Sequence, residues 1–160
     1  MTGIALALAV HVVAVVLWIG GVGVVATVLM PEIRRSRPPE ERFAAFHAIE
    51  RRFAGQARVT TLLAGASGLY MVWRLNAWRW FASADTWWMP AMVLIWLIFT
   101  LMLFVIEPLF LDRWLARRAA SAPASTFLWM QRLHHVLLGL SLLTIAGAVA
   151  GVQGVNLLRW

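Results

Sequence analysis

The stretch that decides the fold is Ile4 to Met30, IALALAVHVVAVVLWIGGVGVVATVLM, an apolar run interrupted by one ionisable side chain, His11. A helix rising 1.5 Å per residue needs roughly 20 apolar residues to cross a bilayer's hydrocarbon core, and this run exceeds that. In lipid the backbone must satisfy its own hydrogen bonds, so the run is expected to be a helix. An imidazole set inside it is costly, and by default marks a working site.

The rest of the chain follows the same pattern. It is 62% hydrophobic and 13% charged over 160 residues, with four apolar stretches parted by short polar ones. The expected architecture is all-α: a bundle of four transmembrane helices at about 4–30, 57–77, 88–111 and 127–157, with no room for a soluble domain. Pro31 and the charges from Glu32 to Arg37 are expected to stop the first span. Pro38 and Pro39 suit the opening of a further helix over about 39–56, whose stripe of Phe43, Phe46, Ile49 and Phe53 makes it amphipathic and predicts that it lies on the cytoplasmic surface. Ala119 to Ser125 reads as a short loop. The N-terminal run lacks a basic flank and is about twice the usual length of a signal peptide's apolar region, so it is expected to remain as a helix.

The net charge of +7 rests on fourteen arginines and no lysine. Arg34, Arg35, Arg37, Arg42, Arg51, Arg52 and Arg58 fall between the first two spans, and Arg113, Arg117 and Arg118 between the last two. Only Arg74 and Arg79 lie between the second and third. By the positive-inside rule the two Arg-rich connections are cytoplasmic, both termini are periplasmic, and the expected location is a bacterial inner membrane. That placement accounts for the basic charge without a nucleic-acid partner. Trp73, Trp78, Trp80, Trp87 and Trp88 would form an aromatic belt at the opposite interface. There is no cysteine, which excludes disulfides, thiolate metal sites and cysteine-held iron–sulfur clusters.

Depth along the spans sorts the unusual side chains into two layers. His11 and Met92 fall within roughly 3 Å of each other in depth on the periplasmic side. Imidazole and thioether together can hold haem iron, and both also suit Cu(I), with Met89 and Met71 as further soft ligands nearby. The alternative for His11 is a hydrogen bond to a neighbouring helix, and for Met92 a core filler. Arg74 and Arg79 are placed to pair with propionates. The second layer holds Glu107, His134 and His135, with Arg132 and His47 near it: a charge-paired lock between helices, a His/Glu metal site, or a proton relay. Only one of His134 and His135 can face Glu107, because consecutive helical residues point about 100° apart. Small residues mark packing faces at Gly20, Gly21 and Gly23, at Ala64 and Gly68, and at Gly147 and Gly151, the last a GxxxG pair through which the fourth helix could build a homo-oligomer.

The segment from Leu8-Ala9-Val10-His11 to Trp18-Ile19-Gly20-Gly21 resembles the first helix of the CopD (copper resistance protein D) membrane proteins, and is similar in its His, Trp and Gly spacing to the HemJ-type protoporphyrinogen IX oxidases. The resemblance implies a four-helix membrane protein with His11 as a haem b ligand and a redox role served by a redox partner, or copper binding and transport. HemJ-type enzymes use a lysine four residues after a tryptophan at the start of the third helix. Here Trp88-Met89-Pro90-Ala91-Met92 puts methionine in that place, which argues against protoporphyrinogen oxidation.

Overall fold

A computed structural model describes residues 2 to 155, the side chains of residues 110–113 excepted. All regular structure among them is helical. The first rod comprises α1 (Thr2–Val24), a π-helical stretch at Val25–Leu29 and α2 (Met30–Ser36). A second rod, α3, runs from Pro39 to Arg74. Two short 3₁₀ turns, Ala77–Ala82 and Ala84–Thr86, lead into α4 (Trp88–Leu101), which continues through π-helical Met102–Leu111 into α5 (Asp112–Ser121). After a break at Ala122 comes α6 (Pro123–Val152). Three rods, Thr2–Ser36, Trp88–Leu109 and Pro123–Val152, are long and apolar enough to cross a membrane. Leucine and valine side chains along them, such as Leu6, Val16, Leu94 and Leu143, face outward, as a lipid-facing surface requires.

Pro31 does not stop the first helix. A proline inside a helix lacks the N–H for the bond one turn back and crowds the carbonyl there, and the π turn just before it absorbs the misfit. The rod ends instead at Arg37, where the backbone becomes extended ahead of Pro38. The expected surface helix over 39–56 and the span beginning at 57 are likewise one helix. Nothing between Phe53 and Val59 breaks it: no proline, and only Gly55 among the weak helix formers. At 36 residues α3 is about 54 Å long, well beyond the hydrocarbon core. Its amphipathic half does not lie flat. Phe46 is buried with Val25, Met30, Ile33, Leu115, Phe127 and Met130, closing the Arg-rich end with a core of its own. The expected loop at 119–125 shrinks to Ala122, and the last expected residues of the fourth span, Asn156 and Leu157, lie outside the described residues.

The rods pack antiparallel in sequence, with small residues receiving large ones. On α3, Gly65 accepts the Trp96 ring, whose Nε1 donates to the Thr61 carbonyl at 2.8 Å. Gly21 meets Phe53 and Gly23 meets Leu138. The GxxxG face of α6 is filled from within the chain, Gly147 by Trp87 and Gly151 by Trp88. A Cβ on either glycine would fall within 2.4 Å of an indole atom, so these glycines admit rings rather than a second backbone. Trp88 is therefore buried, and the tryptophan belt is split: Trp73, Trp78 and Trp80 remain exposed.

Candidate functional site

His11 sits on the face of α1 that α3 covers. Its Nδ1 lies 2.9 Å from the Ala64 carbonyl and 3.2 Å from Ser67 Oγ. A carbonyl can only accept, so Nδ1 carries the proton, and the neutral ring then keeps its lone pair on Nε2. Gly68 makes room for the ring, since a Cβ there would stand 3.2 Å from His11 Cε1. Ser67 is held in turn by donating to the Leu63 carbonyl. The hydrogen-bonded helix lock that the sequence allows for His11 is present, and it has the form that fixes a ligating imidazole: one nitrogen tied to a backbone carbonyl, the other left for a ligand.

Met92 stands level with this histidine. Trp96 meets Thr61 and Gly65 on α3, so a residue four positions earlier on α4 is level with Gly68 or Leu69, within about one turn of the His11 contacts. Met92 is half-buried on α4, whereas the His11 ring turns into α3. Met89 is buried one turn further out and Met71 is half-buried on α3. Arg74 and Arg79 are exposed at the Trp-rich end; Arg74 lies over the Trp73 ring at 6.0 Å, and Arg79 lines a small hollow with Leu75, Asn76 and Trp78. Asn76 takes the left-handed conformation that turns the chain out of α3.

At the Arg-rich end the structure redraws the second layer. Glu107 was expected to meet a histidine of α6 or Arg132, but the ion pair formed is with Arg58 of α3, Nη2 to Oε1 at 3.2 Å. The same guanidinium donates from Nε to the Leu103 carbonyl at 3.1 Å. The cause is local. In a π-helical register the Leu103 carbonyl would accept from residue 108, and residue 108 is proline, which has no N–H. Arg58 supplies the missing donor.

His134 faces the bundle, half-buried, with its ring edge-on to Phe46 at 5.8 Å and Nδ1 donating to the Met130 carbonyl. His135 turns outward and donates to the Gln131 carbonyl, and Arg132 is also exposed. His134, His135 and Glu107 thus do not converge, and among the described residues no three His, Asp or Glu side chains stand together as a metal site. His47 is stacked on Phe43 and lies 3.5 Å from Glu50.

What the sequence did not reveal is a cavity of about 150 Å³ at the level of the second layer, walled by Trp18, Phe99, Phe53 and Leu137, with Glu107, His134, His47, Glu50 and Gln56 also in its lining. Trp18 and Phe99 meet edge to face at 4.9 Å. The pairing of Arg58 with Glu107 and Leu103 and the place of Trp18 in the cavity wall were also missed. The signals for them were a single arginine at the start of the second apolar stretch, a proline inside the third, and a tryptophan two residues ahead of the Gly20-Gly21 pair. No family model, curated protein or solved structure matches the chain.

Proposed function

We propose that the chain is a four-span membrane protein of the CopD and HemJ likeness, with the second half of α3 as its second span and both termini periplasmic, and that it binds haem b through His11 in a redox role. The observation that carries the reading is the anchored imidazole. Its Nδ1–H is committed to Ala64 and Ser67, which fixes the tautomer and leaves Nε2 to coordinate iron. Haem bound there would supply one-electron chemistry. The chain's own residues orient the ligand and keep the site in an apolar surround. Met92, level with His11, is the proposed second ligand, and Arg74 and Arg79 at the same end are the proposed propionate partners.

The second reading is a copper site on His11, Met92 and Met89. It is favoured by the position of the cavity, which lies toward the Arg-rich end and does not include His11, so that the His11 level suits a single ion more readily than a macrocycle. One preparation separates the two. Protein expressed with ample haem and copper is purified, its absorption spectrum recorded and its copper counted, for the parent and for His11→Ala. A Soret band lost in His11→Ala supports haem. Copper lost in His11→Ala without a Soret band supports the second reading. Neither signal in the parent refutes both.

A further inference from the structure

The hairpin of α5 and α6 carries a charge that the rest of the Arg-rich end does not. Asp112 is the last acidic residue in the sequence, so beyond it Arg117, Arg118 and Arg132 share the hairpin with no carboxylate side chain. Elsewhere at that end arginines alternate with acids: Arg37 pairs with Glu41 at 3.4 Å, and Arg34 and Arg35 share α2 with Glu32. Glu50 and Glu107, which line the same cavity as Trp129, are engaged by His47 and Arg58. Arg118 and Arg132 are exposed, and among the described residues they form no ion pair. Two tryptophans mark the depth of these arginines. The apolar rod of α4 ends at Leu109, and α6 is free of Arg, Asp and Glu only from Leu133, so Trp114 lies about 7.5 Å and Trp129 about 6 Å outside the hydrocarbon core. That is the depth of the lipid head groups, a layer of about 5–7.5 Å on each side of the core. The two indoles are exposed and meet edge to face at 5.8 Å, and the Arg118 guanidinium lies over the Trp114 ring at 5.2 Å. Helical side chains slope toward the N-terminus of their helix, which is the membrane end of α5 and the far end of α6. Arg118 therefore reaches back toward the bilayer and Arg132 outward from its edge, which brings both guanidinium groups to the level of the indoles. Stacking occupies a face of the Arg118 guanidinium and leaves its N–H edge for an anion.

We infer that the outer face of this hairpin binds an acidic phospholipid, whose phosphodiester accepts from Arg118 and Arg132 while its glycerol and first acyl carbons lie against Trp114 and Trp129. The charge matches a head group with a phosphate and no ammonium, since a zwitterionic lipid brings a cation to a face that already carries two. A soluble anion gains the arginines but not the indoles, whose place at the edge of the core selects a ligand held in the bilayer. The inference is independent of whether His11 holds haem or copper.

The test uses the full chain in neutral detergent micelles and native mass spectrometry, which counts bound lipids by mass. The probes are phosphatidylglycerol and phosphatidylcholine with identical oleoyl chains. The first phosphatidylglycerol is expected to bind at least tenfold more tightly than phosphatidylcholine. Its binding is expected to weaken about fivefold in Arg118→Gln and again in Arg132→Gln, the share of one interfacial arginine each, and about two- to fivefold in Trp114→Leu. The control, Arg34→Gln with Arg35→Gln, removes two exposed arginines of α2 and is expected to leave the first phosphatidylglycerol in place. Every side chain replaced is exposed, so the variants keep the fold, which helical circular dichroism verifies. Four outcomes each overturn the inference: equal affinity for the two lipids, unchanged phosphatidylglycerol binding when Arg118 and Arg132 are both replaced, a loss as large in the α2 control, or displacement of the lipid by glycerol phosphate at the lipid's own concentration. The third would show only the diffuse charge of the Arg-rich end, and the fourth an anion site facing water.

Discussion

Arg58→Met separates the two tasks of one guanidinium. Arg58 donates to the Leu103 carbonyl at 3.1 Å and to Glu107 at 3.2 Å, and its side chain is 38% exposed while that of Glu107 is 14% exposed. Methionine keeps the apolar stem and removes both bonds. A hydrogen bond involving a charged group contributes about 1.5–3 kcal/mol, and breaking a fully buried ion pair costs about 3–5 kcal/mol. The half-exposed arginine reduces the second figure, so the expected loss is about 2–4 kcal/mol. Part of that loss is recoverable by a change on the other helix. Pro108→Ala gives residue 108 an N–H, which can take over the Leu103 carbonyl, so the double variant Arg58→Met, Pro108→Ala is expected to be about 1 kcal/mol more stable than the sum of the single effects predicts. Reversible unfolding in mixed detergent, followed by helical circular dichroism, measures all four proteins. A loss below about 0.5 kcal/mol in Arg58→Met, or strict additivity with Pro108→Ala, would refute the assignment of Arg58 as the substitute donor.

Other expectations use the same assay. Glu107→Gln is expected to be tolerated better than Glu107→Leu by about 1 kcal/mol, because the amide still accepts from Arg58 and the alkyl chain does not; equal stability of both variants and the parent would show that the carboxylate is solvated at the interface. Gly65→Ala places a methyl against the Trp96 ring and is expected to cost about 1–3 kcal/mol, relieved when Trp96 is shortened to Leu in the same chain. Gly151→Val is expected to destabilise by a similar amount without changing the mass of the detergent complex, since Trp88 of the same chain occupies that face; dissociation of an oligomer would place the GxxxG pair at an interface between copies instead. Ser67→Ala is expected to weaken the His11 lock by about 1 kcal/mol or less, because the Ala64 carbonyl remains as acceptor.

The helices were legible because hydropathy reports length and burial in lipid without reference to partners. Their ends were less so. Proline is ordinarily a stop signal, yet Pro31 and Pro108 each lie within a helix that widens to accept them, and nothing local in the sequence distinguishes a proline that ends a helix from one absorbed by a π turn. The amphipathic stripe through Phe43 and Phe46 was legible as a face, but a stripe does not say what covers it; here Phe127 and Met130 do. Depth arithmetic put Glu107 and the α6 histidines in one layer and placed His11 level with Met92. It carries no information about angle around the bundle, which is why Arg58 rather than a histidine reached the carboxylate, and why His11 turned into α3.

The same angular fact explains why α3, whose composition falls short of the other three rods, is the most heavily bonded of them. It presents Ala64 and Ser67 to His11, Thr61 to Trp96, and Arg58 to Leu103 and Glu107. Thr60, Thr61 and Ser67 are all buried, with Thr60 and Ser67 donating to carbonyls of their own helix. A helix carrying two threonines, a serine and an arginine along one segment is poorly soluble in lipid alone, and becomes compatible with it when those residues are turned toward neighbours that accept or supply hydrogen bonds. The neighbours contribute such groups: α1 its histidine, α4 its indole, and the π-helical stretch its uncapped Leu103 carbonyl and the Glu107 carboxylate. The polar residues that make α3 the least apolar rod are therefore the ones that fix its rotation, and with it the levels at which His11 and the Trp18 cavity are held.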